Sequence, residues 1–142
     1  MSQSAFSDQS RMAIYTAGDH RCIGCGRPDL TAQHRHARGM GGSRDRRLGL
    51  PANGVPPCGH GTAGCHGWTE HHPIGATLLG WRLATGQPLK APFWTRFGWR
   101  RWTNDDDPDF WAVAYVDHDD LDSLASRLAA VDTFRARDTC WH

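Results

Sequence analysis

The chain has 142 residues, of which 39% are hydrophobic and 22% charged, and its formal net charge is +1. This length allows one ordinary domain with a hydrophobic core and leaves little room for a second. No stretch approaches the ~18 apolar residues of a membrane-spanning helix, and the first residues lack the basic and apolar regions of a secretory signal. The sequence therefore argues against a membrane protein and predicts a cytoplasmic location.

Positive charge is concentrated in the first half of the sequence. Residues 1–72 contain eight Arg against four Asp and one Glu, whereas the rest of the chain has no excess of basic residues. The net charge alone decides nothing about partners, but a local excess of arginine suits a polyanion. The same half contains most of the cysteines and histidines, so we expect any nucleic-acid contact there.

The N-terminal segment, residues 1–19, is interpreted as a tail and lead-in. Its first twelve residues are polar and rich in Ser and Gln, with too little apolar content to be ordered alone. The apolar run at residues 12–16 predicts a strand or one turn of helix, and residues 17–19 predict a turn.

Two cysteine pairs follow. Cys22 and Cys25 are separated by two residues in a glycine-containing turn, and Cys58 and Cys65 by six. Paired thiols at short spacings are the usual ligands of a structural zinc ion, and they favour a reducing compartment. The second spacing is wider than usual, and the alternative is four buried free cysteines. We expect a four-cysteine zinc site that helps this glycine-rich segment to fold.

A histidine-rich strand and a long loop separate the two pairs. Residues 31–36 predict a short strand, and residues 38–54 contain too many glycines for a continuous element. A loop of this length inside a compact domain is usually functional. A short helix is expected next, with Thr62 as its cap and Pro73 ending it or opening a new one. The residues that this helix carries are Cys65, His66, Thr69 and Glu70.

The remaining segment, residues 89–142, predicts a β-hairpin and a helix that pack on the core or at a dimer interface. Ile74, Leu78, Trp81 and Leu83 precede it at roughly helical spacing and are expected in the core. Two aromatic, β-prone runs flank the acidic turn at residues 104–108. Their tryptophans are expected to cover a small core, and the alternative is base stacking.

An amphipathic helix is predicted to begin near Asp119 or Asp120, whose carboxylates suit a helix N-terminus. Its apolar positions are Leu121, Leu124, Leu128 and Val131. Cys140 and His142 are interpreted as an incidental tail.

The histidines suggest phosphodiester chemistry. An enzyme of this kind that uses one divalent ion needs a neutral imidazole to take a proton from water, and ligands that hold the ion at the phosphate. A histidine on a strand, a second on a following helix and a zinc ion that holds the two together would provide this.

The whole pattern resembles the HNH endonuclease family. It consists of Cys22-x-x-Cys25, Gln33-His34, Gly41-Gly42 seven and eight residues after His34, Asn53, Cys58 and Cys65-His66. The stretches HRHARGMGGS and CGHGTAGCHGW resemble, more narrowly, the small HNH endonucleases of actinobacterial phages and prophages. The resemblance covers residues 20–83. It implies an α+β fold with a small ββα-metal core, which we assign to residues 20–88.

The resemblance also implies roles for individual residues. His34 matches the general base that activates water, and His66 matches the histidine that holds the catalytic Mg²⁺ or Mn²⁺. Asn53 matches the residue that holds the loop and orients the site. Cys22, Cys25, Cys58 and Cys65 match the structural zinc ligands of many members.

Two positions depart from the family pattern. Gln33 stands where a second metal ligand, Asp or His, is usual, and a neutral amide binds a hard cation more weakly than a carboxylate does. Glu70 stands where related proteins often have histidine. On a continuous helix it shares a face with His66, so it is either an anionic ligand or a solvated residue.

The other histidines and arginines near the site have weaker signals. His36 shares a strand face with His34 but is not favoured as the base, and His60, His71 and His72 are expected at the surface. A phosphate-contacting patch is predicted from the forked guanidinium groups of the loop, with a merely solvated loop as the alternative. The patch consists of Arg35, Arg38, Arg44, Arg46 and Arg47.

The residues and the resemblance together predict a metal-dependent HNH endonuclease that cuts DNA, and the resemblance implies 5′-phosphate and 3′-hydroxyl ends. The alternative is a catalytically weakened zinc module that binds nucleic acid or a phage-assembly partner. A third possibility, by analogy with related proteins that accompany terminase, is an enzyme that works only inside a larger assembly such as a phage packaging machine. The resemblance further suggests a phage or prophage protein acting in the bacterial cytoplasm as a monomer or homodimer.

Overall fold

The computed structural model describes residues 5–37, 45–103 and 112–137. The described residues form four α-helices and five short strands, which confirms the α+β class. In chain order these are α1 (Asp8–Ala17), β1 (Gln33–His34), β2 (Gly54–Val55), α2 (Gly64–His71), α3 (Pro73–Leu78), β3 (Phe93–Thr95), β4 (Gly98–Trp102), β5 (Val113–Tyr115) and α4 (Leu124–Ala136). Within the described ranges, no helix has the length and apolar content to cross a membrane.

Helix α1 occupies part of the expected tail. The Ser7 hydroxyl begins the helix by accepting a hydrogen bond from the N–H of Ser10 at 3.0 Å. Phe6 and Ile14 are 8% and 0% exposed, and both pack at Gly54 of β2, where a Cβ would collide with Ile14. The expectation of a tail is therefore wrong for residues 5–12, because tertiary burial orders a segment whose own composition would not.

The small sheet pairs β1 with β2 in antiparallel register, so that His34 lies opposite Gly54. The second sheet is antiparallel in the order β3-β4-β5. Strands β4 and β5 match the predicted hairpin, and the residues between them from 104 to 111 lie outside the described ranges. Strand β3 was not predicted. It forms because the chain turns tightly at Arg96 and Phe97, with Gly98 at φ +121°.

An aromatic cluster forms the core. The Trp81 ring lies 5.8 Å from Trp68, 6.1 Å from Trp94 and 4.9 Å from Phe134, centroid to centroid. Its indole N–H donates to the carbonyl of Trp94 at 2.8 Å, so the buried donor is satisfied. The tryptophans of the described ranges are all buried, which supports the core interpretation for them: Trp68, Trp81, Trp94, Trp99 and Trp102.

Two expectations for the C-terminal half are wrong in detail. Ile74 is 80% exposed rather than buried. Helix α4 begins at Leu124, because the acidic residues expected at its start form a separate 3-10 turn, His118–Asp120. The Arg127 guanidinium fixes α4 to α3 by donating to the carbonyl of Leu78 at 2.9 Å. The buried Arg127 side chain therefore helps to attach α4 to α3, whereas only the apolar residues of this helix were expected to do so.

Candidate metal centre and adjoining histidines

The four cysteines of the two pairs converge into one cluster. The sulfur atoms of Cys22, Cys25, Cys58 and Cys65 all lie within 4.8 Å of one another, and those of Cys25 and Cys58 are 3.5 Å apart. Four sulfurs held ~2.3 Å from one zinc ion would be about 3.8 Å apart. The cluster therefore fits a tetrahedral zinc ion, and its donor set of soft thiols suits that metal.

The backbone around the cluster turns tightly to bring the sulfurs together. The N–H of Gly24 donates to the sulfur of Cys22, and the N–H of Cys65 to that of Cys58, each at 3.4 Å. Gly64 has φ +67°, and a Cβ there would lie 2.7 Å from the carbonyl oxygen of Cys58. Glycine at position 64 therefore allows α2 to begin close enough to Cys58 for Cys65 to join the cluster.

A cation contacts the cluster from the C-terminal end of α4. Arg137 Nη2 donates to the sulfur of Cys65 at 2.8 Å, and its guanidinium carbon lies 3.8 Å from the centroid of Phe134. A positive charge beside sulfur favours the thiolate, which is the form that binds zinc. Hydrogen bonds from the other thiols, that of Cys25 most strongly, lower the pKa of the Cys22 thiol. The contact of Arg137 with Cys65 was not predicted, because 72 positions separate the two residues in the sequence.

His66 follows Cys65 in the first turn of α2. Its Nδ1 lies 2.9 Å from the hydroxyl of Thr31, and its Nε2 lies 3.8 Å from Oε1 of Glu70, one turn later on the same helix face. Burial lowers the pKa of His66, although the carboxylate of Glu70 opposes this shift. A lowered pKa favours the neutral imidazole, which is the form that binds a metal ion.

The spacing of His66 and Glu70 suits a shared cation. Two metal–ligand bonds of ~2.1 Å span at most about 4.2 Å, so one divalent ion can reach across the 3.8 Å between Nε2 and the carboxylate oxygen. Glu70 is exposed and His66 is intermediate, which leaves the pair open to solvent. Thr31 fixes the ring from behind, a contact that the sequence did not reveal because it joins residues 35 positions apart.

His34 lies on β1 and is partly exposed. Its ring stacks on Phe6, with centroids 3.9 Å apart and planes 15° from parallel. Phe6 was not identified from the sequence either, because it belongs to the segment interpreted as a tail.

Gln33 precedes His34 and points to the other face of the strand. It is 4% exposed, and its Nε2 donates to the carbonyl of Trp81 at 3.4 Å. Its Oε1 is buried and has no hydrogen-bond partner within the described ranges. Burial at Trp81 gives no support to the expected contact between Gln33 and a catalytic ion.

Asn53 is fully buried and connects three chain segments. Its Oδ1 accepts from the N–H of His36 at 2.8 Å, and its Nδ2 donates to the carbonyls of His36 at 3.1 Å and Leu48 at 2.9 Å. These bonds suit the loop-holding role that the resemblance implied. The His36 ring donates from Nε2 to the carbonyl of Gln87 at 2.8 Å, so this ring connects two distant segments of the chain.

The arginines of the expected phosphate patch have different locations. Arg35 is 1% exposed, and its guanidinium donates to backbone carbonyls, among them Gly80 at 2.8 Å and Ala91 at 2.7 Å. Burial lowers its pKa to about 9, so it remains charged at neutral pH. The expectation that Arg35 contacts nucleic acid is wrong, because its donors are used inside the protein. Arg46 and Arg47 are exposed, and Arg38 and Arg44 lie outside the described ranges.

The three histidines that were expected at the surface are exposed: His60, His71 and His72. Thr62 does not cap α2, because the residue at the cap position is Ala63 and the Thr62 hydroxyl lies 3.0 Å from Nδ1 of His60. Pro73 opens α3, one of the two roles expected for it. Cys140 and His142 lie outside the described ranges.

Comparisons with protein-family models, with curated proteins and with solved structures find no match to this chain. Support for a function therefore comes from the geometry of the chain's own residues and from the resemblance of its motifs to the HNH family.

Proposed function

We propose that this protein is a metal-dependent endonuclease of the HNH type that hydrolyses phosphodiester bonds in DNA. His34 is the general base, His66 and Glu70 hold the catalytic divalent ion, and the cysteine cluster is a structural zinc site. The observation that carries the proposal is the order of elements: an antiparallel strand pair is followed by a helix, and the helix starts inside the cysteine cluster.

This order connects the two histidines rigidly. Strand β1 carries His34, and β2 runs into the turn that holds Cys58. The carbonyl of Cys58 accepts from the N–H of His66 at 3.0 Å, so the helix that carries His66 is fixed directly to the end of the strand pair. A catalytic site needs such support because small displacements of reacting groups cost large factors in rate.

The proposed reaction uses His34 as a neutral base. Its imidazole takes a proton from water, the resulting hydroxide attacks phosphorus, and the bond from phosphorus to the 3′ oxygen breaks. The products are a 5′-phosphate and a 3′-hydroxyl, whose proton comes from solvent. A divalent ion held by His66 and Glu70 would stabilise the negative charge on the phosphate and on the departing oxygen.

Exposed arginines provide a means of holding the substrate. Arg46 and Arg47 form a 3-10 turn with Leu48, and Leu48 is bonded to Asn53 at 2.9 Å. The turn is therefore anchored to the strand pair that carries His34. Phosphate contacts of this kind give affinity without sequence preference.

The experiment is cleavage of supercoiled plasmid DNA with Mg²⁺ or Mn²⁺, in which wild type is compared with His34→Ala. We expect the variant to lose about 100-fold or more in rate, as removal of a general base does. His118→Ala, at an exposed histidine in the 3-10 turn before α4, is the matched control and should cut like wild type. Equal cutting by His34→Ala and wild type would contradict the assignment of His34 as the general base.

A second candidate is a zinc-stabilised module that binds nucleic acid or an assembly partner without cutting. The burial of Gln33 favours it, because among the described residues His66 and Glu70 are then the only expected ligands left for a catalytic ion. Metal analysis separates the two. The module should bind zinc alone, whereas the nuclease should also bind an exchangeable divalent ion that Glu70→Gln weakens.

A further inference from the structure

We propose that Phe6 is a positioning residue for His34, which makes the N-terminal segment part of the active site rather than a tail. This inference depends on the proposed function for its consequence in catalysis, but the contact itself can be tested without any activity. It starts from the near-parallel stack of the two rings, 3.9 Å apart at 15°.

Phe6 is held in place by the packing of α1 on the strand pair. It is 8% exposed and directly precedes the capping residue of α1, Ser7. Its Cζ would lie 3.2 Å from a Cβ built at Gly54, the residue paired with His34 across the strands. The absence of a side chain at Gly54 therefore opens the space in which Phe6 reaches the imidazole.

The stack has two effects on the imidazole. It removes water from one ring face and restricts rotation about the bond that joins the ring to the side chain, so the ring edge keeps one direction. When His34 accepts a proton it becomes a cation, and a cation at the face of an aromatic ring is stabilised by the ring quadrupole. Both effects assist a general base without any contact between Phe6 and the substrate.

Leucine and valine substitutions distinguish positioning from packing. Phe6→Leu keeps an apolar side chain over Gly54 and removes the aromatic face. The matched control is Ile14→Val, which loses packing against the same glycine but leaves the stack intact. Larger aromatic residues are unsuitable at position 6, because the tip of the Phe6 ring already borders Gly54.

The first measurement is NMR of the His34 ring protons in protein loaded only with zinc. The ring current of Phe6 should shift these protons upfield in wild type and in Ile14→Val, and Phe6→Leu should return them toward the chemical shifts of an unstacked histidine. Unchanged His34 signals in Phe6→Leu would overturn the proposal, whether or not the protein cuts DNA.

The second measurement is plasmid cleavage. Phe6→Leu should lower kcat about tenfold, with KM within about twofold, because the base is misdirected while substrate binding is untouched. Ile14→Val should keep kcat. An unchanged or increased kcat in Phe6→Leu would contradict the proposal, since Phe6 would then either have no effect on His34 or only shield it from water and substrate. A wild type that shifts its His34 signals as expected but never cuts would leave the stack established and refute the nuclease.

Discussion

The cysteine cluster and the pair of His66 with Glu70 are adjacent in the chain but are built differently. In the cluster, sulfurs from separate turns surround one point, and three of the four cysteines are buried. In the pair, one imidazole and one carboxylate lie 3.8 Å apart on a helix face that is open to solvent. Structural metal sites are closed by protein ligands, whereas catalytic sites keep positions for water and substrate. We therefore expect the fold to depend on the cysteine cluster and, under the proposed function, the chemistry to depend on the pair of His66 and Glu70.

The largest expected effect is the loss of the cluster. Cys58→Ser removes one sulfur from the cluster. It also changes the residue whose carbonyl accepts a hydrogen bond from the N–H of His66. We expect loss of bound zinc and of cooperative thermal unfolding, because structural zinc contributes on the order of 10 kcal/mol in small domains. Metal analysis and circular dichroism melting test this. His66→Ala and Cys140→Ser should keep both zinc and the melting transition, and a folded, zinc-free Cys58→Ser would contradict the distinction.

The next effect concerns the two kinds of arginine around the site. Arg35→Met leaves several buried carbonyls without a donor and should lower the free energy of unfolding by about 3–5 kcal/mol. Arg46→Met, at an exposed position, should change it by less than about 0.5 kcal/mol but weaken DNA binding. Denaturant unfolding and a binding titration measure these values. If both variants lost a similar free energy of unfolding, the hydrogen bonds from Arg35 to buried carbonyls would not be stabilising the fold.

A smaller effect is expected at the edge of the cluster. Arg137→Gln removes the cation beside Cys65 and should weaken zinc binding by about 10-fold. Hydrogen bonds from the other thiols lower the pKa of the Cys22 thiol, so the stability that its thiolate gives to the fold is present at high pH and is lost on acidification. The contact of Arg137 with the sulfur of Cys65 adds to this preference for the thiolate. Without the cation the thiolates protonate more easily, so zinc release on acidification should begin at a higher pH. A chromogenic chelator measures this, and Arg135→Gln is the control on α4.

The smallest effect on the molecule as a whole is expected at Glu70. Glu70→Gln should leave zinc content and melting temperature unchanged while raising the Mg²⁺ concentration needed for cleavage about tenfold, since a charged ligand becomes neutral. A Mg²⁺ titration of plasmid nicking tests this, and Asp132→Asn on α4 is the control. If Glu70→Gln instead lowered the melting temperature, the pair of His66 and Glu70 would contribute to the stability of the fold, contrary to the distinction drawn above.

Local chemistry explains which features could be predicted from the sequence. The convergence of Cys22 and Cys25 with Cys58 and Cys65 was predictable, because thiol spacing reports a ligand set directly. The hairpin of β4 and β5 and the pairing of His66 with Glu70 on one helix face also follow from local periodicity. Arg35 illustrates the limit. A basic residue in a basic loop suggests phosphate contact, and only the carbonyls brought together by residues 80–92 reveal that it is buried.

The sequence by itself predicted the α+β class and the cysteine cluster, and its resemblance to the HNH family suggested candidate roles for His34, Asn53 and His66. Only the tertiary structure decided that Gln33 faces the core, that Arg137 contacts Cys65 and that Phe6 stacks on His34. The physical reason is the distance along the chain over which each feature is specified. Ligand spacing and helix periodicity act over a few residues, whereas burial depends on surfaces that meet from opposite ends of the sequence. The N-terminal segment is the clearest case, because its composition suggested disorder and the glycine at position 54 gave it a place to pack.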